Sequence, residues 1–281
     1  MIKFPRTEVA GVSLPRMLIG TNWILGYSHT GAAADALIHE RNDAAESVRD
    51  IVNAYLEYDI DAMMGLYANA PHVLDGIHMA EDMTGKKVTL IDTPIIDVHD
   101  SAESRRSAEQ QIALSAKNGA KFCLIHHSSA EQLVRKVDHK IDRLSDYTDM
   151  IRQHGMIPGL SAHMPELIVY SDENEYDVQT YIQIYNCMGF LMQIEVESVH
   201  KIIWNAKKPV MTIKSMAAGR CTPFVGLNFS YNTLRPCDMV TVGAMTPAEV
   251  HEDVEYALAA IERRFPDLEG RNSPYKTNIL K

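Results

Sequence analysis

At 281 residues, 46% of them hydrophobic and 23% charged, the chain can bury a substantial core within one globular domain and excludes a disordered or fibrous class. A formal net charge of −10 argues against nucleic-acid binding, which needs a positive surface, and no segment reaches membrane-spanning length. The opening MIKFPRTEVAGVSLPRMLIG lacks the apolar run of a secretory peptide, and Cys123, Cys187, Cys221 and Cys237 stand far apart in sequence without a CxxC, so a cytoplasmic protein with reduced thiols is expected.

Short apolar runs alternate with helical patterns along the chain. MLIG at 17–20 predicts a first strand, and the segment 44–58 predicts a helix that gathers Val48, Ile51, Val52 and Leu56 on one face. IDAMM, from Ile60, predicts a second strand. A helix follows from Pro71, since proline fits a first helical turn where its missing N–H is not needed. Strands are predicted at 88–91 and 122–125, each followed by a helix, at 107–117 and 141–154. A fifth strand at 156–160 leads to a short helix at 172–179, and a sixth strand at 181–185 to a helix at 198–206 with Ser198 as its cap. Strands at 210–213 and 239–242 complete the set. The helix between them is poorly announced, because CTPFVGLNFSYNTLRP contains Pro and Gly, whereas 247–263 reads as a strong final helix.

About eight strand-helix units without a dividing linker predict one domain over 1–281, an α/β protein of the (β/α)₈ TIM-barrel class, with 265–281 as an extension packed outside. A doubly wound open sheet is the competing architecture, but no dinucleotide glycine turn follows the first strand.

In such a barrel the residues after the strands converge on one opening. Asp61, Asp92, His126 and Lys214 are the catalytic candidates on this reading. His126 follows FCLI and can enter the opening, while His127 has the opposite strand phase. Asp61 and Asp92 can exchange protons or orient an imidazole, and Lys214 can stabilise an enolate or form a Schiff base once desolvation lowers its pKa. A divalent metal (Mn, Zn or Fe) is a further expectation, held by His126, His163, Asp92 and Glu195. Asn22, Trp23, His29, Asn186 and Arg220 are expected to bind substrate. Arg220 would take an anionic group, and the segment 20–29 would form a lid or sugar-facing loop.

IDAMMGLY, CLIHH, QIYN and MVTVGAMTPAEVHEDV together resemble the aldo-keto reductases, barrels that reduce carbonyls with nicotinamide cofactors. The resemblance implies that Asp61, Tyr67 and His126 stand where that family keeps its catalytic Asp, Tyr and His. It also exposes two departures. The family's strand-three Lys is replaced by Asp92 or Thr93 in LIDTP, and Glu249 precedes Glu252-Asp253 where a basic residue contacts the cofactor phosphate. NAD(P) binding is therefore not expected. The resulting expectation is a non-redox lyase or isomerase acting on a carbohydrate or other polyhydroxylated or anionic carbonyl compound. Its alternatives are an NAD(P)H-dependent aldo-keto reductase and a noncatalytic sugar-binding protein. A homo-oligomer is compatible with the sequence.

Overall fold

The computed structural model describes residues 3–68 and 70–268. The chain opens with a hairpin absent from the sequence expectation, β1 (Arg6–Val9) antiparallel to β2 (Val12–Pro15). Then follow β3 (Met17–Gly20), β4 (Ala62–Gly65), β5 (Thr89–Asp92), β6 (Phe122–Ile125), the short pair β7 (Val134–Arg135) and β8 (Lys140–Ile141), β9 (Ile157–Ala162), β10 (Tyr181–Ile184), β11 (Val210–Ile213) and β12 (Met239–Val242). Eight of these, β3-β4-β5-β6-β9-β10-β11-β12, close into a parallel barrel in which β12 pairs with β3. This is a (β/α)₈ TIM barrel. Among the described residues no helix is long and apolar enough to cross a membrane.

Period-two alternation divides each strand between two apolar layers. Leu18, Met64, Ile91, Phe122, Leu124, Ile182, Met211 and Met239 fill the barrel, and Val9 and Leu14 of the hairpin join them from the N-terminal end as a plug. The opposite parity, including Met17, Met63, Leu90, Cys123 and Val240, packs against the helices in the outer layer. Residues at the C-terminal strand ends with interior parity therefore face the opening.

Several predicted bounds shift. The short fifth helix is Glu166–Glu173 rather than 172–179, and the sixth, Val196–Asn205, starts behind Glu195 instead of Ser198. The poorly announced helix is Pro223–Thr233, with proline in its first turn. Gly226 lets this helix lie against the loop after β11, since a β-carbon there would sit 2.6 Å from the Ser215 carbonyl oxygen. Within the segment 20–29, expected as a lid or sugar-facing loop, Asn22–Leu25 is a short helix followed by a loop, and a second helix, Ala32–Asn42, comes after it. Thr246 caps the final helix Pro247–Glu262, its hydroxyl accepting from Glu249 N–H. The proposed extension lies outside the described residues from position 269 onward.

Candidate active site

A cavity of about 790 Å³ opens at the C-terminal ends of the strands, within the range of small-molecule sites. Its floor includes Met64, Ile182, Ile213 and Thr241, and Asn22, Trp23, His29, His126, His127, His163, Lys214 and Arg220 stand around it.

Lys214 follows β11 directly and adopts a left-handed backbone with φ 62°, as do Ala217, Ala218 and Gly219 after it. For non-glycine residues this conformation is costly, and its clustering at one strand end marks a turn held in place by its surroundings. Cys221 N–H closes the turn on Met216 O, and Gly219 N–H bonds the same carbonyl. The turn carries Lys214 into the cavity, where loss of solvent pulls its amine down to about 8. Among the described residues no carboxylate lies within ion-pair distance of it; its polar contact is His29, Nζ to Nε2 2.9 Å.

Three histidines stand across the opening. His126 has the interior parity of β6, and its Nδ1 accepts the Ser128 backbone N–H at 3.3 Å, so a neutral ring carries its proton on Nε2. His163 follows β9, held by its own N–H bond to Glu131 Oε1 at 2.6 Å. Its ring stacks on His127 at 3.6 Å, and His127 in turn lies 4.2 Å from His126. Burial, with the neighbouring imidazoles and Lys214 adding to it, holds His126 at about 4 and His163 at about 3, so these rings are uncharged at neutral pH. His127 joins the cavity against the phase expectation because β6 ends at Ile125 and a helical turn, His127–Ala130, begins there.

Arg220 closes one side. Its guanidinium lies 3.9 Å above the Phe190 ring and donates to the carbonyls of Ala217 and His29. Cys221, which also lines the cavity, has its Sγ 4.0 Å from that of Cys187, so two cysteines distant in sequence are neighbours in space. Trp23 lies between the loops of Gly219 and Gly243 and forms another part of the rim. Glu249, Glu252 and Asp253 line the side beneath the final helix.

Four expected site residues are elsewhere. Asp61 precedes β4 at the N-terminal end of the barrel and is held by Arg6 of the hairpin, Nη1 to Oδ1 2.9 Å; the strand starts two residues later than its apolar run suggested. Asp92 ends β5 with outer-layer parity, 1% exposed, where Tyr67 N–H approaches its Oδ1 at 3.4 Å. Glu195 is an exposed residue at the start of the helix Val196–Asn205. Asn186 is fully buried and shapes a turn, Oδ1 accepting from Met188 and Phe190 N–H and Nδ2 donating to Phe190 O. The expected ligand set of His126, His163, Asp92 and Glu195 is thus not assembled, and among the described residues no three His, Cys, Asp or Glu side chains are grouped to hold an ion.

Tyr67, the expected proton donor of the reductase resemblance, is also turned away. It is 1% exposed in the outer layer and donates its hydroxyl to Met63 O at 2.7 Å.

No protein-family profile and no curated protein sequence matches the chain. Solved structures do resemble it. A Pseudomonas aeruginosa protein assigned as an aldo-keto reductase is 13% identical with TM-score 0.65, covering 93% of this chain and 99% of that one. A Klebsiella pneumoniae aldo-keto reductase in complex with NADPH is 13% identical with TM-score 0.59, covering 97% and 98%. Aldose reductase from Giardia lamblia is 11% identical with TM-score 0.56, covering 95% and 90%. The chain thus shares a TIM-barrel fold with these aldo-keto reductases. At these identities the likeness concerns the fold. Three carboxylates of the final helix, Glu249, Glu252 and Asp253, line the cavity, and neither Asp61 nor the Tyr67 hydroxyl reaches the opening.

Proposed function

We propose that the protein is an enzyme of non-redox carbonyl chemistry, a lyase or isomerase that acts on a small polyhydroxylated or anionic carbonyl compound through a Schiff base on Lys214. The observation that carries this reading is the Lys214 amine, desolvated to about 8 inside the cavity and free of any carboxylate partner among the described residues. An amine with that pKa is partly unprotonated at neutral pH, the form that attacks a carbonyl carbon.

A Schiff base draws electrons from the carbon beside it and so permits loss of a proton or cleavage of a carbon–carbon bond there. The acid-base partners are the imidazoles across the opening. His126, uncharged with its proton on Nε2, donates a hydrogen bond to the substrate oxygen, and the His127 ring beside it accepts the proton. Arg220 retains donors beyond its two carbonyl bonds for a carboxylate or phosphate on the substrate, while the Trp23 ring offers an apolar face to a sugar.

Borohydride trapping tests this directly. With a panel of ketoses, aldoses, keto acids and sugar phosphates, at least one compound is expected to add its reduced mass to the peptide containing Lys214, and Lys214→Arg is expected to abolish the adduct. Trapping at other lysines alone, or equal trapping by the Arg variant, would reject the reading.

The barrel's likeness to reductases favours a second reading, NAD(P)H-dependent carbonyl reduction. It predicts saturable NADPH binding and carbonyl-dependent NADPH oxidation. The Schiff-base reading predicts neither.

A further inference from the structure

The loop between the helices Asn22–Leu25 and Ala32–Asn42 brings His29 to the Lys214 amine, and how it is built assigns its histidine a task. His29 Nε2 lies 2.9 Å from Lys214 Nζ and 3.3 Å from Asn22 Nδ2. Both neighbours carry only donor hydrogens when Lys214 is an ammonium, so Nε2 is the acceptor and the neutral ring carries its proton on Nδ1. The loop is fixed from several sides. Ser28 donates through its N–H and its hydroxyl to Asp35 Oδ1 at 2.9 and 2.5 Å, and Asn42 Nδ2 donates to Trp23 O at 3.1 Å. Arg220 Nη2 bonds the His29 carbonyl at 3.1 Å, and His29 itself sits at φ 57°, a left-handed conformation that a histidine adopts at a cost.

We propose that His29 is the base that takes the proton from the Lys214 ammonium and hands it to the carbonyl oxygen of the substrate. This rests on the Schiff-base reading of Lys214 and adds the residue that activates it.

The step balances. His29 Nε2 accepts a proton from Lys214, leaving the amine free to form a C–N bond as the carbonyl π bond breaks. The proton on His29 passes to the carbonyl oxygen. A second nitrogen proton follows by the same route, the oxygen leaves as water, and nitrogen ends as a positively charged C=N–H with the single charge it began with. No oxidant, reductant or metal takes part. Desolvation, Lys214, Arg220 and His127 lower the His29 pKa while Asp35 opposes them, so the ring is neutral and able to accept at neutral pH. The charged and titratable groups that face this pair are Asp35 and His39 beneath the loop, Arg220 beside it, and His126, His127 and His163 across the cavity.

The test needs no natural substrate. Wild-type protein, His29→Gln and His29→Asn are reacted with formaldehyde and cyanoborohydride from pH 6 to 9, and methylation of each lysine is followed by peptide mass spectrometry. Gln keeps a polar side chain of similar reach but cannot take up the proton. Wild type is expected to methylate Lys214 faster than its other lysines, with both variants slower at pH 7 by about a hundredfold, the lower end of the range for a general base. Added imidazole is expected to restore much of the rate in the variants and to leave wild type unchanged. Preferential methylation of Lys214 in wild type together with unchanged rates in both variants would overturn the role of His29 alone. No preference for Lys214 in wild type would instead overturn the Schiff-base reading on which it rests. Slow variants that imidazole cannot rescue would assign His29 to loop packing and reject it as the base.

Discussion

Asp92 ends β5 with its carboxyl between the barrel and the helix Ala102–Lys117, beside Ser115 and Cys123. Burial pushes its pKa up, outweighing the opposing polar influence of Ser115, Tyr67 and Thr93, and among the described residues its Oδ2 has no hydrogen-bond partner. A carboxyl with a raised folded-state pKa favours folding below its unfolded pKa, and that contribution is lost as pH rises through the folded value. Asp92→Asn, which keeps shape and acceptor, is therefore expected to raise the unfolding midpoint at pH 7, by about 1–3 kcal/mol in stability, and to make little difference near pH 3. Urea unfolding of both proteins at the two pH values checks this; equal stability at pH 7 would mean that the carboxyl is well solvated or paired. The same residue shows what the sequence conveyed. That a strand ends near Asp92 was legible in its apolar run, but which face it takes depends on the strand's true register. Lys214 was legible because its strand bounds were right. His126 was legible for the same reason.

At the scale of elements, the least readable segment was the one that shapes the site. The helix Pro223–Thr233 carries almost no periodic apolar face, with Gly226, Leu227, Ser230 and Tyr231 buried together. Gly226 is what packs it against the Lys214 turn. Gly226→Ala places a methyl group 2.6 Å from Ser215 O and 3.1 Å from Met216 Cα, contacts that only a backbone shift relieves. The expected result is a loss of about 1–3 kcal/mol in stability and slower modification of Lys214, because Ser215 adjoins it. Unaltered stability and labelling would show that the helix does not press on this turn. Packing of the neighbouring loops is checked separately with a short bis-alkylating thiol reagent, which is expected to link Cys187 to Cys221, whose sulfurs lie 4.0 Å apart, and to leave buried Cys123 unlinked. The hairpin β1–β2 escaped the sequence because RTEV and VSLP are short and half polar, and with it went the correct place of Asp61, which the hairpin's Arg6 holds at the far end.

Across the whole molecule, the plugged end of the barrel holds the Arg6–Asp61 pair and apolar side chains, while the open end holds imidazoles and one desolvated amine. That division places one source of acid sensitivity at the open end. His126 and His163 titrate at about 4 and about 3 when folded and near the ordinary imidazole value when unfolded. The unfolded chain therefore binds more protons as pH falls through about 6.5, and stability declines from there downward. Replacing both histidines by Gln is expected to flatten the dependence between pH 6.5 and 5, seen as a smaller change in thermal midpoint than in wild type. Closure into a barrel was legible from eight apolar runs, since alternation and length are local properties. The convergence of His29, from a loop between the first two barrel strands, on Lys214 after β11 is a product of that closure and leaves no local trace.

Titration of Lys214 itself measures the property on which the account depends. In protein carrying ¹³C-labelled lysine, with Lys214→Arg to assign the signal, the Cε resonance of Lys214 is predicted to move with a midpoint near 8, apart from the other lysines. A midpoint at or above 10, indistinguishable from a solvated lysine, would contradict the account.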